Sequence, residues 1–233
     1  IAGVMDGNIY RIYLDGFFVD SIIASCNNPG SSSNMILGNH QAWSNGSGVS
    51  SWFEGLIDDV QIWNTALTQQ EIQSYMSTPP TGNEEGLVGY WDFNEGTGST
   101  LTDQTSNGND GTIYGATWST DVPEETTTAT NTHSLIFDGV DDHVDLGNSS
   151  TLSPSTLITL MSWSKPLQNK DGQMIATKGS HVNLYNRTYQ MMGPQNNGLW
   201  VSSLHIDGLG EQYLSSQQIA NLNQWTHTCL TYD

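Results

Sequence analysis

The chain has 233 residues, of which 24 are Asp or Glu and only five are Lys or Arg, so its formal net charge is −19. This charge excludes nucleic acid and anionic lipid surfaces as partners. It suits a salty medium, which screens the self-repulsion, and it suits the binding of divalent cations. No apolar run approaches the roughly 18 residues of a membrane span, so we expect no membrane insertion. The length is enough for one large β-sandwich or two small domains.

The first segment predicts a β-hairpin. Tyr10, Ile12 and Leu14 alternate with polar or aromatic residues, and Asp15-Gly16 then supplies the positive φ angles of a tight turn. Similar short apolar runs, separated by Asp-Gly and Asn-Gly pairs, recur along the whole chain. Short strands at close spacing with little helix predict an all-β, antiparallel sandwich of the jelly-roll type.

One short helix is predicted near residues 68–76. Thr68 and Glu71 have the spacing of a capping box, and an apolar stripe begins at Ile72 behind them. Two prolines follow, and we interpret residues 79–85 as a linker.

Acidic and amide residues gather in one Gly-interrupted loop, where they are candidate calcium ligands together with two aspartates of an earlier strand-like run. Calcium takes six to eight oxygen ligands from carboxylates, amides and backbone carbonyls. The alternative is that the loop residues only cap turns through local hydrogen bonds. The candidate ligands are Asp103, Asn107, Asn109, Asp110, Asp58 and Asp59.

A second acidic cluster follows later in the chain, at Asp138, Asp141 and Asp142. These residues are a possible second calcium site, but we favour a turn with solvated carboxylates.

Trp43 and Trp52 flank a loop rich in Ser, Gly and Asn at residues 44–51. An aromatic face beside amide groups is how lectin surfaces hold sugar rings, so both are candidate ligand-binding residues. The alternative is that these two rings cover one end of the sandwich. Four other tryptophans lie in strand-like runs and are predicted core residues, namely Trp63, Trp91, Trp163 and Trp225.

The two cysteines, Cys26 and Cys229, are far apart and have no metal-ligand spacing. They pair with each other, pair with another chain or stay as buried thiols, and we favour buried thiols because both lie in apolar runs.

Four stretches carry a family resemblance. They are Tyr-Leu-Asp-Gly at 13–16, the stretch at 55–72 that begins Gly-Leu-Ile-Asp-Asp-Val-Gln-Ile-Trp, the stretch at 86–118 that begins Gly-Leu-Val-Gly-Tyr-Trp, and Leu-Ile-Phe-Asp-Gly-Val-Asp-Asp-His-Val at 135–144. Together they resemble the laminin-G-like domains of the concanavalin A-like lectin/glucanase superfamily, especially the tandem versions in secreted bacterial proteins. The stretch at 55–72 is the most specific match.

The resemblance implies a non-catalytic, extracellular module that binds glycans or cell-surface polysaccharide, or that mediates adhesion. It also implies calcium where the loop at 103–111 meets the strand with Asp58 and Asp59. Glycosidases on this sandwich commonly carry a Glu-x-Asp-x-x-Glu strand, which this sequence lacks, so we expect no enzyme activity.

The motifs stand in an unusual order, because the family's closing motif precedes its opening motif. We therefore predict that residues 1–78 are the C-terminal half of one domain and residues 86–233 the N-terminal part of the next. Each half alone would expose an apolar face. Either the halves close on each other as a permuted sandwich, or a neighbouring copy completes each of them, which would build an extracellular filament.

Overall fold

The computed structural model describes residues 9–23, 33–39, 52–124, 131–154, 157–179, 187–206 and 210–233. Within these ranges, strands numbered in chain order form two antiparallel sheets. The first sheet contains, in spatial order, β2 (Phe17–Ile23), β1 (Ile9–Leu14), β16 (Thr226–Tyr232), β11 (Ile158–Pro166), β4 (Glu54–Trp63), β9 (Ser134–Asp138) and β8 (Thr117–Ser119), and β5 (Leu87–Trp91) also pairs with β4. The second contains β15 (Gly210–Ile219), β14 (Leu199–Ile206), β13 (Arg187–Met192), β12 (Met174–Gly179), β3 (Met35–Leu37), β10 (His143–Asp145), β7 (Gly111–Tyr114) and β6 (Thr100–Leu101).

The predicted hairpin and helix are both confirmed. β1 and β2 pair across the Asp15-Gly16 turn, in which both residues have positive φ angles, 47° and 74°. The helix α1 (Gln69–Ser77) begins after Thr68, and the reciprocal hydrogen bonds of the capping box between Thr68 and Glu71 are both present. A single 3₁₀ turn at Ser150–Leu152 is the other helical element of the described residues.

The main core lies between the two sheets. Its largest fully buried side chains include Trp91, Phe137, Tyr189 and Trp200, which alternate along their strands with residues on the outer faces. The prediction that four tryptophans belong to the core is confirmed for Trp63 and Trp91. It is wrong for the other two, Trp163 and Trp225, which are only half-buried.

A second, smaller apolar cluster lies on the outer face of the first sheet, where α1 covers it. Ile72 of the helix belongs to this cluster together with strand residues such as Trp63 and Met161. Cys229 belongs to this cluster as a free, buried thiol, and burial raises the pKa of that thiol well above its usual value. The prediction of a buried thiol is therefore confirmed for Cys229, whereas Cys26 lies outside the described residues.

Strands from the two predicted halves alternate within both sheets. β4 lies between β11 and β9, β3 lies between β12 and β10, and β1 pairs along its length with β16 from Tyr10–Tyr232 to Leu14–Thr228. The described strands of the segments 1–78 and 86–233 therefore build one sandwich within a single chain. Whether they derive from two successive domains of a tandem array stays a prediction.

Because β1 pairs with β16 within one chain, we expect the urea midpoint of unfolding to be independent of protein concentration. Chains that exchanged these strands would unfold at a midpoint that rises with concentration, by mass action. The measurement is urea unfolding followed by circular dichroism at concentrations about a hundredfold apart. A rising midpoint, together with dimers in analytical ultracentrifugation, would contradict closure within the chain.

Candidate functional site

Three rings form a row on the outer face of the second sheet. Tyr114 of β7 lies directly opposite His143 of β10 in the strand register. Both side chains are on the outer face, because their strand neighbours Ile113 and Val144 point into the core. The two rings are stacked, with centroids 4.8 Å apart and 14° between their planes. The Trp52 ring lies 5.9 Å from His143 on the same surface. We call Trp52, His143 and Tyr114 the aromatic row.

The aromatic row is accessible and is fixed in place by its neighbours. Tyr114 is 49% exposed, and Trp52 and His143 are half-buried. The backbone next to Trp52 is held because the buried Phe53 donates its N–H to Gly38 O at 2.9 Å. The exposed aromatic surface of this row offers sugar C–H groups an apolar contact.

The sequence predicted only one member of this row. Trp52 was a candidate ligand-binding residue, and its partner candidate Trp43 lies outside the described residues. Tyr114 and His143 were missed, because their contact depends on the pairing of β7 with β10. The alternation of residues in β7, with Ile113 inside and Tyr114 outside, was the available signal.

An acidic cluster borders the aromatic row. The side-chain oxygens of Asp138, Asp141 and Asp142 lie within 4.8 Å of one another, the one such group of three acidic, His or Cys side chains in the described ranges. Asp142 is buried and accepts the Asp138 N–H at 2.9 Å. The next residue along the chain is His143, whose Nδ1 lies 3.1 Å from Asp141 O. The cluster thus adjoins the middle ring of the row.

The electrostatics of the acidic cluster favour a cation. Burial raises the pKa of Asp142, and the neighbouring charges of Asp138 and Asp141 raise it further. Three carboxylates at this spacing fit a calcium ion, which takes oxygen ligands at about 2.3–2.6 Å. The turn that we expected at this position is also present, with a hydrogen bond of 2.8 Å from the Val140 N–H to Asp138 Oδ1.

Asp103, the first predicted calcium ligand, is buried and its carboxylate accepts four hydrogen bonds from the protein. Oδ1 accepts the Tyr90 N–H at 3.1 Å and the Thr105 N–H at 3.0 Å. Oδ2 accepts the Thr105 hydroxyl and the Asn109 N–H, each at 2.9 Å. Asp110 Oδ1 accepts a hydrogen bond from the Asp103 N–H at 2.9 Å. This arrangement satisfies the carboxylate without an ion.

The loop at 103–109 covers the free edge of β5. The Val88 carbonyl accepts hydrogen bonds from the side-chain amides of Asn107 and Asn109, at 3.2 and 2.9 Å. Tyr90 donates its N–H to Asp103 and accepts the Gln104 N–H at 2.7 Å. The loop therefore provides the bonds that a neighbouring strand would otherwise make, which accounts for its acidic and amide residues.

Asp58 and Asp59 are buried in β4 and have other partners. Asn131 donates its side-chain amide to Asp58 Oδ2 at 2.6 Å. The Tyr90 hydroxyl bonds to Asp59, and burial and this carboxylate both raise the pKa of Tyr90. Tyr90 thus contacts Asp103 through its backbone and Asp59 through its hydroxyl. A calcium role for the six predicted ligands stays a prediction.

Comparison with known families identifies one match. The Laminin_G_3 model, described as the concanavalin A-like lectin/glucanases superfamily, matches residues 1–73 and 138–233. The comparisons with curated proteins and with solved structures yield no match. Within the described residues, no helix has the length and apolar character that a membrane span requires.

The substitution Asp103→Ala tests the structural role of the loop. It leaves four donors without their acceptor, and we expect it to lower the free energy of unfolding by about 2–4 kcal/mol. The control is Asp171→Ala, since the exposed Asp171 carboxylate accepts two bonds from the exposed Asn196, and it should cost about 0.5 kcal/mol. Urea unfolding in chelator measures both. A loss that appears only with calcium present would instead indicate an ion at Asp103.

Proposed function

Since the chain belongs to the laminin-G-like branch of the concanavalin A-like lectin/glucanase superfamily, we propose that it is a non-catalytic module that binds carbohydrate through the aromatic row. The observation that carries the proposal is the stack of Tyr114 on His143 beside Trp52, on an accessible face of the second sheet. Such rings contact the apolar C–H faces of pyranose units, while nearby polar groups bond to hydroxyls.

The negative charge of the chain limits which class of glycan can bind. With a net charge of −19, the surface repels sulfated or uronic-acid polymers, so we propose a neutral polysaccharide as the ligand. The carboxylates of Asp138 and Asp141 are exposed at the edge of the row and can accept hydrogen bonds from sugar hydroxyls. We place the protein outside the cell, where laminin-G-like domains are common and where salt screens its charge.

Calcium is the second part of the proposal, at Asp138, Asp141 and Asp142. A bound ion would neutralise carboxylates that now repel one another and would fix the turn that precedes His143. The raised pKa of Asp142 supports a cation at this position. The Asp103 loop is the less favourable site, because its carboxylate is already saturated with hydrogen bonds.

A filament subunit and a glycosidase are the two alternative functions. A filament would need a neighbouring copy to supply the strands that complete each half. The pairing of β1 with β16 within one chain supports a binding module over a filament. The superfamily includes some glycosidases, and the absence of a Glu-x-Asp-x-x-Glu strand from the sequence is why we propose a binding role.

We expect Trp52→Ala and Tyr114→Ala each to weaken binding to a neutral polysaccharide about fivefold, because each removes a stacking surface worth about 1 kcal/mol. The control is Tyr213→Ala, which removes a ring that is 56% exposed on the edge strand β15. Affinity electrophoresis against a panel of neutral and anionic polysaccharides measures the effect. Retardation that Tyr213→Ala abolishes and the other two variants leave intact would contradict the proposed site.

For calcium, we expect the melting midpoint to rise on addition of the ion. An ion at 100 times its dissociation constant stabilises the folded state by about 2.7 kcal/mol. Asp141→Asn should remove most of this rise, whereas Asp110→Asn should preserve it. The reverse result, with the rise lost in Asp110→Asn alone, would move the ion to the loop, and an unchanged wild-type midpoint would remove calcium from the proposal.

A further inference from the structure

A cleft lies on the outer face of the first sheet, on the opposite side of the sandwich from the aromatic row. It has a volume of about 400 Å³ and lies between the β1–β2 turn, α1, β11 and the segment after β8. Nothing in the carbohydrate-binding proposal uses it. The lining residues that matter here are Asp15, Phe17, Gln73, Met76, Trp163 and Glu124.

The walls of the cleft are held rigidly. Asp15 and His227 exchange two hydrogen bonds: the Asp15 N–H donates to His227 O at 2.8 Å, and the His227 N–H donates to Asp15 Oδ1 at 2.9 Å. The Gln73 side chain donates to Gly16 O at 3.0 Å and fastens the turn to α1. A ligand would therefore meet a preformed site, which lowers the ordering cost of binding.

Large apolar side chains form one part of the lining. Phe17 is 65% exposed, and Trp163 and Met76 are half-buried. Contiguous apolar side chains that remain exposed beside polar groups are typical of interaction sites. The cleft thus offers an indole, a phenyl ring and a thioether to the aliphatic or planar part of a ligand.

The charge of the cleft has one sign. Asp15 and Glu124 contribute carboxylates, and no Lys, Arg or His is among the described residues that line the cleft. His227 packs edge-on against Trp163 with ring centroids 5.2 Å apart. Burial lowers the pKa of His227 to about 3, so this ring is neutral and adds no positive charge near the cleft at physiological pH.

Asp15 is suited to pairing with a cation. Its side chain is exposed to solvent, yet protein atoms surround it closely enough that desolvation raises its pKa. Oδ1 is used by the His227 N–H, and among the described residues no donor bonds to Oδ2. A cationic partner would offset the cost of keeping this carboxylate charged in the cleft.

We propose that the cleft binds an arginine side chain of a basic partner protein. A planar guanidinium stacks on an indole and pairs with carboxylates, and here Trp163, Asp15 and Glu124 line one cleft. The methylene groups of the arginine would contact Phe17 and Met76. The net charge of −19 attracts a basic partner over a longer range.

The test uses three blocked tripeptides that differ only in the central residue: Gly-Arg-Gly, Gly-Lys-Gly and Gly-citrulline-Gly. Citrulline keeps the shape of arginine and lacks its charge. By NMR titration of the whole chain we expect a dissociation constant of a few mM for the arginine peptide, near the weak end of specific recognition. The lysine peptide should bind about threefold and the citrulline peptide about tenfold more weakly.

Asp15→Asn is the main variant, because its amide oxygen can still accept the His227 N–H. It should weaken binding of the arginine peptide about fivefold. The control Glu85→Gln, which removes one carboxylate outside the cleft, should change the affinity for this peptide less than about twofold. Trp52→Ala should bind the arginine peptide as the wild type does, which separates this proposal from the carbohydrate site. Citrulline or lysine peptides that bind as tightly as the arginine peptide would overturn it. So would the absence of arginine-peptide binding, or equal losses in Asp15→Asn and Glu85→Gln.

Discussion

The first sheet depends on a change of partner along one side of β4. β4 pairs with β11 on one side from Gly55 to Trp63. On its other side it pairs with β9 through Glu54–Ile57 and with β5 through Val60–Trp63. The two residues between these ladders are Asp58 and Asp59. Asp59 has a positive φ of 52°, and the register with β11 shifts between Met161 and Trp163. A bulge of this kind re-aims side chains where a ladder is interrupted.

The junction in β4 explains several features around it. β9 and β5 each pair with only part of β4. Among the described strands β5 pairs with β4 alone, and the loop at 103–109 bonds to its other edge through Asp103, Asn107 and Asn109. At the junction itself, Asp58 and Asp59 bond to Asn131 and to the Tyr90 hydroxyl. Buried carboxylates are stable only with such partners. The acidic residues of this region thus lie where the sheet lacks a regular ladder.

The sequence predicted well what is determined locally. The Asp15-Gly16 turn and the Thr68–Glu71 capping box each depend on a few adjacent residues, and both were found where they were expected. The family motifs predicted the sandwich. The functional site was harder to predict from the sequence, because an Asp in a Gly-rich loop has the same local pattern whether it binds an ion or a distant strand. Trp163 was assigned to the core because strand alternation alone does not tell which face of β11 remains uncovered by α1.

The pairing of the two terminal strands has a mechanical consequence. Ile9 and Asp233 exchange backbone hydrogen bonds of 3.0 and 3.2 Å, and Arg11 forms an ion pair with the Asp233 carboxylate at 3.1 Å. Residues 9 and 233 therefore lie at the same end of an antiparallel strand pair. Tension applied between them would load the hydrogen bonds one after another, beginning with those of Ile9, instead of all together. The sandwich would yield to a low pulling force from this corner, although its equilibrium stability rests on a core that spans both sheets.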